Sequence, residues 1–113
     1  MKLFIRKLYR GFRAFIGFPA PYSVEVVEDI PNTLTPEMLY LAEEDEEFWM
    51  AAMDCPCGCR AKIQLSLLPN DKPKWVVTKH RNGTVSLHPS VWRTVDCKSH
   101  FWFKNGRIQW CKN

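Results

Sequence analysis

The spacing of apolar and polar residues changes near residue 19. Before it, Leu8, Phe12 and Phe15 fall at i, i+4 and i+7, and Met1, Phe4 and Ile5 extend the same face. Lys2, Arg6, Arg10 and Arg13 form a stripe on another. This spacing predicts a basic amphipathic helix over residues 1–18, ended by Gly17 and Pro19. Such a helix can meet a membrane surface or a partner. The acidic stretch that follows is a nearer counterpart, and docking on it is the expectation.

Beyond the stiff link at residues 19–22 the period becomes two. Val24-Glu25-Val26 alternates, and residues 38–41 and 48–53 are short apolar runs separated by the acidic residues 43–47, which suit an exposed turn. The pattern predicts a hairpin that delivers the chain into Cys55-Pro56-Cys57-Gly58-Cys59, although its Glu, Leu, Ala and Met residues are also helix formers. Further strands are predicted at residues 61–67, 75–78 and 84–87, with a final hairpin over residues 101–110. Asn82-Gly83 marks the turn before the strand at 84–87, and Asn105-Gly106 the turn of the final hairpin. The fold class expected is mainly β, α+β at most: a small antiparallel domain of hairpins over residues 19–113, preceded by the helical segment.

A chain of 113 residues, 46% hydrophobic, holds one core of modest size, which a metal staple would strengthen. The net charge of +4 conceals three blocks. Residues 1–13 carry five basic residues and no acid, residues 25–54 hold ten of the twelve acids, and residues 55–113 set eleven Lys and Arg against Asp71 and Asp96. A basic half could steer the protein to an acidic partner or a nucleic acid, or the oppositely charged faces could simply attract each other. No apolar run approaches the length of a membrane helix, and the charges near the N-terminus spoil a signal peptide, so a cytoplasmic protein without a membrane partner is expected.

In that compartment clustered cysteines point to metal rather than disulfides. The candidate ligands are Cys55, Cys57, Cys59, Cys97 and Cys111, with His100 a sixth. A structural zinc takes four, in a tetrahedron. Two of the clustered cysteines plus Cys97 are expected, the fourth coming from the third clustered cysteine, Cys111 or His100. The single-residue spacing within the cluster departs from the thioredoxin-type redox motif, and an iron–sulfur cluster is a further possibility.

The order Cys55-Pro56-Cys57-Gly58-Cys59, then residues 63–69, Asn82-Gly83-Thr84-Val85-Ser86-Leu87-His88-Pro89-Ser90-Val91-Trp92, Cys97-Lys98-Ser99-His100-Phe101-Trp102 and residues 106–111 resembles a bacterial family of small Cys-rich proteins of unassigned function. These are encoded beside ubiquitin-like, E1-like and E2-like genes. The resemblance spans roughly the C-terminal half. It implies work in a ubiquitin-like conjugation pathway, phage defence included, with the ubiquitin-like protein and E1-like and E2-like proteins as partners.

Within those motifs Ser90 and His100 are the candidate nucleophile and base, since acyl transfer needs an activated hydroxyl or thiol. His80 and His88 are alternative bases. Against this, Ser90 could cap a helical turn starting at Val91, and His100 could be a zinc ligand or a core residue. The expectation leans to a hydrolase, a peptidase processing or deconjugating the ubiquitin-like protein, with one structural zinc ion. The alternatives are a non-catalytic, E3-like or partner-binding adaptor and a nucleic-acid-binding zinc domain, in which Trp75, Trp92, Phe101, Trp102 and Trp110 would stack on bases. In a domain this small, however, the core needs those aromatics. A metalloprotease lacks its His-Glu-x-x-His helix here.

Overall fold

Every regular element among the described residues is a strand. The computed structural model describes residues 20–111, so the helix expected over residues 1–18 lies outside them. The strands are β1 (Ser23–Val27), β2 (Met38–Glu44), β3 (Glu47–Asp54), β4 (Lys62–Ser66), β5 (Val76–Lys79), β6 (Val85–Trp92), β7 (His100–Lys104) and β8 (Arg107–Trp110). They form two four-stranded sheets, ordered β1-β2-β3-β4 and β5-β6-β7-β8. All neighbours are antiparallel except β1 and β2. The helix-forming residues of 38–53 are thus overridden by their strand partners.

Alternation explains why the sheets meet. On β2, Leu39 and Leu41 face one way and Met38 and Tyr40 the other. On β7, Phe101 and Phe103 alternate with His100, Trp102 and Lys104. The inward set joins Ala51, Met53, Ile63 and Leu65 of the first sheet to Val85, Leu87 and Val91 of the second in one buried cluster. Each large side chain in it contributes about 1.5–3 kcal/mol by leaving water. The crossover from β1 to β2, which a parallel pair requires, covers the outer face of the first sheet. There Ile30 and Leu34 pack on Met38, Tyr40 and Ala52, and the Thr35 N–H donates to the Tyr40 hydroxyl at 3.0 Å.

Both Asn-Gly signals mark hairpins. Asn105 and Gly106 have φ of 51° and 73°, which produces the tight turn between β7 and β8. Gly106 also receives the Tyr22 N–H on its carbonyl at 2.7 Å, and a Cβ there would lie 2.9 Å from Pro21 Cβ. Gly106→Ala is therefore expected to destabilise the domain by about 1–3 kcal/mol, as read by chemical denaturation.

Candidate active site and metal centre

The strand that begins at Val85 does not stop at Leu87. It continues to Trp92, so Ser90 lies in a strand rather than capping a helical turn. Its course is irregular. Leu87 pairs with Phe103 and Val91 with Phe101, so four steps along β6 match two along β7. The even excess keeps Leu87 and Val91 both in the core and pushes His88, Pro89 and Ser90 out as a bulge, a device that re-aims side chains beside active sites. The Trp75 indole N–H holds this segment from below, donating to the Ser90 carbonyl at 3.3 Å.

Across the ladder, His100 begins β7 directly opposite Trp92. Its carbonyl accepts the Cys111 N–H at 2.9 Å, and next to it Arg93 N–H donates to the Ser99 carbonyl at 2.8 Å. With its backbone so fixed, His100 places Nε2 3.1 Å from Ser90 Oγ. The Trp92 indole stacks on the imidazole, with centroids 4.9 Å apart and planes 15° apart. A hydroxyl and an imidazole at this separation can exchange a proton.

The alternative bases are placed elsewhere. His88 lies against Trp102 at 5.7 Å. His80 Nε2 is 2.7 Å from Ser86 Oγ, a second Ser–His pair, but that hydroxyl also accepts the Asn105 N–H at 2.9 Å and so ties two hairpins together.

The cysteines converge from both sheets. Cys55 to Cys59 lie in the loop joining β3 to β4, closed by the Cys55 N–H to the Ala61 carbonyl at 2.8 Å and turned at Gly58, whose φ is 92°. Cys97 comes from the loop between Trp92 and His100. The Sγ atoms of Cys55, Cys57, Cys59 and Cys97 all lie within 4.8 Å of one another, close enough to hold a metal ion. Cys111 is outside this group, because the end of β8 is held beside His100 instead, and all three clustered cysteines belong to the group with Cys97. His100 faces Ser90 and not the sulfurs.

The surroundings favour thiolate at Cys97 and Cys57 and the neutral thiol at Cys55. The Ser99 hydroxyl and backbone lower Cys97 to about 6, and hydrogen bonding from the Cys59 backbone lowers Cys57. Burial raises Cys55 to about 11. The Arg93 guanidinium lies 3.1 Å from Cys97 Sγ and 3.5 Å from Cys59 Sγ. Sequence reasoning missed Arg93 and Ser99 beside the sulfurs, and the placement of Trp75 and Trp92 beside Ser90 and His100.

The aromatics expected to fill the core divide. Phe101 is buried in it, and Trp75 packs against it. Trp92 and Trp110 are more than half exposed, and Trp102 shares the outward register of His100.

A family model described as "Bacterial ubiquitination-like system serine protease (BubE)" matches residues 26–111, most of the chain. No curated protein and no solved structure matches it. The chain belongs to this family of serine proteases of bacterial ubiquitination-like systems.

Proposed function

Taking that membership as the premise, we propose that the protein is a peptidase hydrolysing the bond at the C-terminus of a ubiquitin-like partner, with Ser90 as nucleophile and His100 as general base. The observation that carries this reading is the 3.1 Å approach of Ser90 Oγ to His100 Nε2, on the sheet face turned away from the core. Ser90 Oγ attacks the scissile carbonyl while its proton passes to Nε2, which requires the tautomer protonated on Nδ1. Collapse of the tetrahedral intermediate breaks the C–N bond, and the proton on Nε2 goes to the leaving amine. Water then gives a proton to Nε2 and adds to the acyl-serine, and Ser90 leaves with its proton restored. Backbone N–H groups beside Ser90 are assigned the oxyanion.

The four cysteines fit structural zinc. Sulfurs at the corners of a zinc tetrahedron are separated by about 3.8 Å. Cys55 Sγ lies 3.4 Å from Cys57 Sγ and 3.6 Å from Cys97 Sγ. Zinc held by these residues would supply no chemistry to the reaction. It would tie the loop that leads from Trp92 to His100 onto the loop after β3, so that the strand ends bearing the dyad are fixed relative to the core. The basic C-terminal half would speed encounter with an acidic partner.

Incubation with a cognate ubiquitin-like precursor or conjugate, followed by intact-mass analysis, tests the proposal. Cleavage by the wild type, lost in His100→Ala and retained in Ser86→Ala, supports it. Binding of the E2-like partner without cleavage of any such precursor or conjugate would leave an adaptor in its place.

A further inference from the structure

We infer that Trp92 is a positioning residue for His100: its indole fixes the plane of the imidazole and supports the charge that the ring acquires when Ser90 gives up its proton. The inference rests on the peptidase reading and adds a residue to that site.

Three observations carry it. Trp92 is 58% exposed, on the face of β6 opposite Val91, so the core does not require it. It is the direct cross-strand partner of His100, which brings the two side chains together through the backbone. Its ring lies nearly parallel to the imidazole at a centroid distance of 4.9 Å, in the arrangement by which an indole face attracts a cation.

Geometry makes the brace useful. His100 is half-buried at the start of β7, with Nε2 meeting Ser90 Oγ at 3.1 Å. Rotation would carry Nε2 off the line to Ser90 Oγ, and misplacement of about 1 Å can cost a hundredfold in rate. The indole plane limits that rotation while leaving the Nε2 edge open toward Ser90. Trp75, bonded to the Ser90 carbonyl, restrains the other half of the pair.

A fluorophosphonate probe, which phosphonylates an activated serine without any protein substrate, reads the effect. In Trp92→Ala the maximal rate of Ser90 phosphonylation is expected to fall about tenfold to a hundredfold, with the half-saturating probe concentration within about twofold. Trp92→Phe, which keeps an aromatic face over the ring, should recover most of the rate. In NMR spectra the His100 ring protons should move downfield in Trp92→Ala as the indole ring current is lost, and the core resonances should stay in place. A wild type that reacts at Ser90 while Trp92→Ala reacts equally fast overturns the inference alone. A change confined to the half-saturating concentration also overturns it, since the indole would then be binding the probe. A wild type that forms no Ser90 adduct overturns the peptidase reading and this inference together.

Discussion

Cys97→Ser is expected to remove both the bound metal and the cooperative unfolding transition. The wild type should purify with about one zinc per chain. Cys97 joins the second sheet to the cluster on the first, and it is one of four sulfurs within 4.8 Å of one another. Losing one leaves a site that zinc fills poorly. In sites of this kind the binding free energy is folding free energy, on the order of 10 kcal/mol or more, against a total stability of about 5–15 kcal/mol for an ordinary domain. Cys57→Ser should behave alike. Cys111→Ser should keep metal and fold, because Cys111 lies outside the group. Elemental analysis with thermal unfolding checks all three variants, and a folded, metal-free wild type would overturn the zinc assignment.

Ser90→Ala is expected to lower the cleavage rate by about a thousandfold or more without moving the unfolding midpoint or the metal content. The hydroxyl lies outside the core cluster, on a bulge whose packing is carried by Leu87 and Val91. The two members of the pair act as one unit, so the double variant Ser90→Ala/His100→Ala should be little slower than Ser90→Ala alone. A double variant slower than Ser90→Ala by the full His100→Ala factor would show that the residues work separately.

The strands were legible where alternation was clean. Residues 61–67 and 101–110 read directly as β4 and as the β7–β8 hairpin, and both Asn-Gly pairs turn the chain as expected. The parallel pairing of β1 with β2 was not legible, because Val24 and Val26 fit either direction and the choice is made by the crossover through Ile30 and Leu34.

The site was half legible. Pro56 and Gly58 announced a loop able to present several thiols, and Cys97 was placed with them. The choice between the third clustered cysteine, Cys111 and His100 for the fourth member depends on the β7–β8 ladder, which spacing does not reveal. Ser90 and His100 could be named as chemistry-bearing residues. Their meeting depends on the two extra residues in β6, whose bulge contains Pro89 and reads in sequence as the end of a strand. That same misreading hid Trp92, which looked like core material and stands instead on the outer face.

Peptide mapping of the chain after reaction with a fluorophosphonate tests the central claim most directly. The account predicts a single phosphonyl adduct on Ser90, absent in Ser90→Ala and strongly slowed in His100→Ala. An adduct on Ser86 or on a cysteine, or cleavage of a ubiquitin-like precursor that persists while Ser90 stays unmodified, would contradict it.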